Sequence, residues 1–208
     1  MYKIKLNKTV LKNHIQYDWW KYLAGILITA LMWSMIVSAT APRTPAEKKV
    51  DIYLVGGFMF DEGAQELEER ILDDFPDLLE VNLYSIMLSG EWDYVGRQKF
   101  ATMLYSHMGD IFILSTEEFE SLAKEGVLLP LDDQDQLKSY LDEELLAKGT
   151  TDTHEDSTKR LYGIPLYESD LFKNTFDTSD AVMGVMVYSG NIPYALEVAE
   201  WILEKGNN

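Results

Sequence analysis

Cysteine is absent from this 208-residue chain. That excludes disulfides, thiolate metal sites, cysteine nucleophiles and a lipid-modified cysteine anchor. Histidine is almost absent. The three present, His14, His107 and His154, are far apart and none has metal-ligand spacing; His107 reads as a helix-end residue and His154 as solvated. No G-x-S-x-G element, P-loop or H-E-x-x-H motif occurs. Gly56-Gly57 lacks the further glycine and the basic partner of a phosphate turn, and Asp61 and Glu62 would repel phosphate. Asp132-Asp133-Gln134-Asp135 lacks the glycine and distal glutamate of a calcium loop, so it reads as a solvated loop or helix cap. Glu168 and Asp170 are spaced as paired carboxylates, but nothing ties them to an acceptor. The chain is therefore read as a non-enzyme with no cofactor and no metal.

Positive charge is scarce after the first quarter of the chain. Residues 1–49 hold eight Lys/Arg and two Asp/Glu, leaving 10 basic and 33 acidic residues for the remainder. A body with that imbalance repels nucleic acid and anionic lipid and suits solubility, cations or a basic partner.

Long apolar runs are missing as well, with one exception. Tyr22 to Ala41 (YLAGILITALMWSMIVSATA) carries no charged residue, and a helix needs about 20 such residues to cross a bilayer core. Lys3, Lys5, Lys8, Lys12 and Lys21 precede it against Asp18, which predicts a cytoplasmic N-terminus. Trp19, Trp20 and Tyr22 fall where an interfacial aromatic belt belongs. A core helix of a soluble protein would lack these flanks. A cleaved signal peptide is the other reading, because Val37-Ser38-Ala39 and Ala39-Thr40-Ala41 have peptidase-type spacing. Pro42 disfavours the second cut and the long basic head disfavours both. The expected organisation is a cytoplasmic head (1–21), a transmembrane helix or signal anchor (22–41), a Pro-containing linker (42–49) and an extracytoplasmic domain (50–208). Gly25 and Thr29 form a weak small-xxx-small pattern in the span.

In the body, Val50–Val55 predicts a strand closed by Gly56-Gly57. Glu62–Phe75 has helical spacing through Ala64, Leu67, Ile71, Leu72 and Phe75, with Pro76 as its stop. Leu79–Leu88 alternates like a strand through Val81, Leu83 and Ile86. Trp92–Met108 predicts a helix with Phe100, Leu104 and Met108 on one face. Asp110–Leu114 predicts a buried strand, Thr116 to Gly126 a helix, Val127–Leu131 an extended piece and Gln136–Ala147 another helix. A polar loop (149–159), an extended piece (161–166), a strand (182–188) and an amphipathic helix (192–204) complete the chain. The β-α-β-α-β-α order implies a mostly parallel sheet with helices on its faces.

Three ordered segments resemble the extracellular solute-binding proteins of bacterial ABC importers, the periplasmic-binding-protein-like type II class. They are Val50–Val55 with Ile71–Val81; Gly109–Leu114 running into Phe119-Leu122-Ala123-Gly126 and Val127-Leu-Leu-Pro-Leu-Asp132; and Leu161-Tyr-Gly-Ile-Pro165. The resemblance implies an α/β fold and a transport-type partner. It also implies a single lobe, since about thirty residues separate Tyr167 from the last helix and a second lobe does not fit. One lobe cannot surround a solute by hinge closure.

Open α/β sheets bind ligands outside the carboxyl ends of their strands. That rule selects Gly56, Gly57 and Phe58, then Ser89 and Trp92, then Ser115, then Tyr167 and Glu168. Phe58, Trp92 and Tyr167 would supply aromatic faces for a sugar or peptide, or else cap the sheet. The expected function is a membrane-tethered, extracytoplasmic solute-binding-like protein. It would hold a small solute or peptide weakly, or present it to a membrane partner such as a transporter permease. The alternative is a protein-interaction module of a cell-surface assembly. Membrane lipid around residues 22–41 is the other expected contact.

Overall fold

The computed structural model describes residues 8–41, 43–88, 90–167 and 169–206, the side chains of residues 8–15 and of Trp92 excepted. It divides into two compact units, Met1–Arg43 and Thr44–Asn208.

The first unit contains one helix, α1 (Lys8–Thr40). Within it Gln16–Thr40, 25 residues, is long and apolar enough to cross a membrane. Its large side chains, among them Ile26, Leu31, Trp33 and Met35, are exposed along its length.

The second unit is an α/β domain. A single 3₁₀ turn (Ala46–Lys48) leads into β1 (Lys49–Gly56). There follow α2 (Asp61–Asp74), β2 (Glu80–Met87), a 3₁₀ turn (Gly90–Trp92), α3 (Asp93–Tyr105), β3 (Ile111–Ser115) and α4 (Thr116–Lys124). Next come α5 (Asp135–Ser139), α6 (Glu143–Gly149), the short strands β4 (Thr150–Thr151), β5 (Arg160–Leu161) and β6 (Ile164–Pro165), and a 3₁₀ turn (Asp170–Phe172). The domain ends with β7 (Ala181–Val185) and α7 (Ile192–Gly206). The main sheet has the order β2-β1-β3-β7-β6. β1 is parallel to β2 and to β3, and β7 is antiparallel to both of its neighbours. Four strands thus run one way and β7 alone runs back, which is the mostly parallel sheet that the alternating pattern implies.

The apolar run of β1 is unbroken because both of its faces are covered. Val50, Ile52 and Leu54 join Val81, Leu83, Ile111, Ile113, Met183 and Val185 beneath α2 and α7. Tyr53 and Val55 join Phe112, Leu114 and Val182 beneath α3 and α4. Ile86 belongs to this second face, opposite Val81 and Leu83, because strand side chains alternate with a period of two. The rings of Tyr84, Tyr53 and Phe112 stack in a row across three strands, 5.0 Å between successive centroids. The row stops at Gly184, opposite Phe112 in register, where Leu128 lies so close that a Cβ would meet it at 2.9 Å.

β2 has only one strand neighbour, so some of its backbone groups face outward. Side chains cap them: Leu83 N donates to Glu68 Oε1 at 2.6 Å, and Lys99 Nζ donates to the Ser85 carbonyl at 3.1 Å. Occupied edge groups are poor templates for strand addition.

Three local expectations are corrected. The helix expected to reach Met108 ends at Tyr105, since His107 turns the chain with φ 52 and Gly109 with φ 95. Met103 therefore shares the buried face with Phe100, and Met108 is exposed. His107 instead lays its ring 4.8 Å from that of Tyr188. The helix expected over 136–147 is two helices, because Asp142 accepts from Leu145 N at 2.8 Å and starts α6 afresh. The polar loop after Gly149 begins with a strand, Thr150–Thr151, paired with Arg160–Leu161.

α2 and α7 are tied by Trp201 Nε1, which donates to Asp74 Oδ2 at 2.6 Å, with Lys205 Nζ 3.6 Å from the same oxygen. The Trp201 hydrogen bond first, and Lys205 after it, hold the Asp74 carboxyl below its ordinary value. A carboxylate whose folded pKa is depressed adds stability above its unfolded pKa of about 3.9, and that stability is lost as pH falls through the folded value. Asp74→Asn is therefore expected to flatten part of the fall in melting temperature below about pH 4 and to leave the neutral-pH dependence unchanged. Thermal melts across pH check this.

Candidate functional site

The carboxyl ends of β1, β2, β3 and β6 gather at one edge of the sheet, together with the amino end of reversed β7. Gly56 ends β1 with φ +126, a conformation side chains other than glycine rarely adopt. Its carbonyl accepts from Leu88 N at 3.0 Å. Gly57 faces Phe176, 3.4 Å from where a Cβ would stand.

The next three residues alternate. Met59 packs against the core, so Phe58 and Phe60 project outward, 60% and 59% exposed. Their rings meet edge to face at 5.2 Å. The backbone beneath them is held: Phe60 N donates to the Thr175 carbonyl at 2.9 Å, and Ala64 N to the Phe60 carbonyl at 3.0 Å. A Cβ at Gly63 would overlap the Asn174 carbonyl oxygen, so glycine there lets α2 lie directly on the 169–178 segment.

Phe60 separates two open clefts. One, about 470 Å³, is lined by Phe60, Ser169, Asp170, Lys173, Phe176, Asp177 and Thr178. The other, about 590 Å³, is lined by Phe60, Asp61, Glu62, Gly63, Glu66, Lys173 and Asn174. Lys173 borders both and lies 4.0 Å from Asp170. Hydrogen bonds from the backbone and side chain of Ser179 keep the Asp177 carboxyl below its ordinary range. Ser169, 6% exposed, has a hydroxyl with no hydrogen-bond partner among the described residues. A smaller crevice of about 70 Å³ under α2 includes Glu66, Arg70 and Asp170; Arg70 is also 5.9 Å above the Trp201 ring.

Phe60 is the N-cap of α2 and makes no side-chain capping bond. Ser, Thr, Asp or Asn is favoured at that position. Phe60→Ser is expected to hold or raise stability, by up to about 1 kcal/mol, as read by denaturant titration.

Of the residues selected by the strand-end rule, Gly56, Gly57, Phe58, Ser115 and Tyr167 lie around this edge, and none of these five lines either cleft. Ser115 is engaged as the N-cap of α4, accepting from Glu118 N at 3.4 Å. Tyr167, two residues past β6, carries Lys148 Nζ 4.5 Å from its ring centroid. Hydrogen bonding with the Tyr167 side chain first, and after it the Glu144 hydrogen bond at 2.9 Å, raises the Lys148 ammonium above its ordinary pKa. Trp92 closes a 3₁₀ turn, but its side chain, like all of Ser89 and Glu168, lies outside the described residues. The α3–α4 side of the edge is crossed by Arg97, which bonds Asp93 and reaches Glu118 at 2.9 Å. Thr116 Oγ1 donates to Asp180 Oδ1 at 2.5 Å beside it. Among the described residues no group of three or more Asp, Glu or His could hold a metal ion.

No protein-family model matches the chain, and no curated protein matches it. Among the solved structures similar to this chain are solute-binding and substrate-binding proteins. One is a family 1 member from Alicyclobacillus acidocaldarius, at 19% identity and TM-score 0.46, over 60% of this chain and 29% of that one. A second is an ABC substrate-binding protein from Listeria monocytogenes in complex with cycloalternan, at 20% and 0.42, over 58% and 29%. A third is an ABC transporter associated binding protein from B. animalis subsp. lactis in complex with β-1,6-galactobiose, at 13% and 0.40, over 59% and 26%. The chain thus spans less than a third of the length of each.

Proposed function

We propose that this protein is a membrane-tethered, extracytoplasmic binding domain that holds a small solute or peptide weakly at the carboxyl edge of its sheet. It presents that ligand to a membrane partner such as a transporter permease. The observation that carries the reading is the pair of open clefts on either side of Phe60, placed where open α/β sheets bind ligands. An apolar helix of spanning length precedes the domain, with Lys-rich sequence before it and an acidic body after it. Clefts open on one side match weak, exchangeable binding, since tight small-molecule sites bury most of the ligand. The reading assigns the protein no reaction.

The test uses the full-length protein in lipid nanodiscs. Thermal shift and NMR are run against sugars, oligopeptides, amino acids and divalent cations. A shift in melting temperature with at least one class, accompanied by perturbation of Phe60 or Lys173 signals, is the expected result. Protease treatment of intact cells is expected to remove the body and spare the N-terminal head. A body protected from protease would refute the topology.

The interaction-module reading draws on the exposed Phe58–Phe60 pair, since exposed aromatics mark contact sites. A stoichiometric protein recovered with the detergent-solubilised chain, with every small-molecule class silent, would favour it over ligand presentation.

A further inference from the structure

We infer that the paired clefts at Phe60 take a cationic amphipathic peptide segment, one carrying Lys or Arg next to an apolar side chain. The inference rests on the binding-edge reading above and specifies its ligand.

Two features converge. First, the two phenylalanines are displayed at a position where a different residue would serve the fold better. Phe60 occupies a helix N-cap without capping it, and Phe58 and Phe60 leave more than half their surface in solvent. Their frame is fixed by the Phe60–Thr175 hydrogen bond and the close approach of Gly63 to Asn174. A stability-neutral or destabilising choice kept on a rigid frame is a mark of binding surfaces. Second, the linings are acidic. Asp61, Glu62 and Glu66 lie on one side of Phe60, and Asp170 and Asp177 on the other. Lys173 is shared by both clefts, and Arg70 is confined to the crevice beneath α2 and the Trp201 face.

Each rival ligand class leaves part of this unused. An anion meets an excess of carboxylates. A neutral sugar stacks on the rings but leaves the negative charge unbalanced. A bare divalent ion ignores the rings and finds no cluster of ligating side chains among the described residues. A peptide with a cation beside an apolar group satisfies both. Its ammonium or guanidinium pairs with the carboxylates, its apolar group rests on the aromatic edge, and cations also favour aromatic faces.

The test uses full-length protein in zwitterionic phosphatidylcholine nanodiscs, with empty nanodiscs as control. The probes are a fluorescent hexapeptide alternating Lys and Leu, its Glu/Leu counterpart, and maltotriose. The Lys peptide is expected to bind, and the Glu peptide not. Affinity should fall severalfold between about 50 mM and about 0.5 M salt as charges are screened. Phe60→Ser is expected to weaken binding at least ~tenfold without lowering the melting temperature. The double variant Asp170→Asn, Asp177→Asn is expected to do the same with little change in shape. Equal binding of both peptides, or unchanged affinity in either variant, overturns the inference. Binding of maltotriose without the Lys peptide overturns it while the binding-edge reading stands. Silence toward every probe overturns the inference, and silence that extends to amino acids and divalent cations overturns the binding-edge reading as well.

Discussion

Phe112→Ala is expected to lower the stability of the folded domain by about 3–5 kcal/mol, the range for emptying a large aromatic site in a core. Phe112 sits mid-strand in β3, between Tyr53 on one side and Gly184 on the other. It is fully buried. Its ring stacks on Tyr53 at 5.0 Å and tilts against Phe100 at 6.0 Å, so truncation removes its own burial and unsupports two further rings. Because strands on both sides fix the backbone, the site cannot collapse to fill the void, and the upper part of the range is favoured. Urea denaturation of the full-length protein in mild detergent, followed by near-ultraviolet circular dichroism, measures it. A loss under about 1 kcal/mol would mean that this face is not close-packed.

Asp110→Ala is expected to cost about 3 kcal/mol by a different route, since hydrogen bonds to a charged acceptor contribute roughly 1.5–3 kcal/mol each. Asp110 is 7% exposed. Its carboxylate accepts from Asp51 N at 2.8 Å and from Ser189 Oγ at 2.6 Å. Ser189 Oγ in turn accepts from Asn191 N at 3.0 Å, and Asn191 Nδ2 donates to the carbonyls of Glu47 and Lys49. One carboxylate thus joins the entry of β1, the start of β3 and the approach to α7. Alanine leaves a buried amide without its acceptor. Asp110→Asn keeps one acceptor oxygen and is expected to recover about half the loss. Amide exchange at Asp51 should accelerate in Asp110→Ala and much less in Asp110→Asn. Unchanged exchange would show that water substitutes for the carboxylate.

The sheet was legible because its central strands are apolar on both faces, so VDIYLV and DIFIL stand out against a polar, acidic background. Helices α2, α4 and α7 were legible for a related reason: each has one apolar stripe, and Pro76 and Gly126 mark the stops of the first two. The break between α5 and α6 is encoded locally by Asp142 followed by Glu143 and Glu144, an N-cap with acidic residues in the first turn. The end of α3 was hidden because His107 turns the chain in a conformation only weakly encoded by residue type.

Of the candidate site, sequence and topology point only to the sheet edge. Topology led to the ends of β1, β2, β3 and β6, but the clefts lie one step farther, at Phe60. Two facts hid them. In Phe58-Met59-Phe60 all three residues are apolar, and only the fold decides that Met59 turns inward. The opposite wall, Ser169 to Thr178, lies more than a hundred residues along the chain and carries no local motif. Its meeting with α2 depends on Gly63, which in sequence is merely an unfavourable helix residue.

The direction of β1 has a mechanical consequence. The folded unit begins at Thr44, and its 3₁₀ turn delivers the chain to Lys49, the amino end of that strand, while the clefts open beyond Gly56, its other end. β1 lies inside the sheet, paired with β2 over eight residues and with β3 over three. A force applied between the residues before Lys49 and the cleft edge would therefore pull along the strands. Under such loading β1 must slide past both neighbours, and its hydrogen bonds resist in shear as a group instead of unzipping one by one.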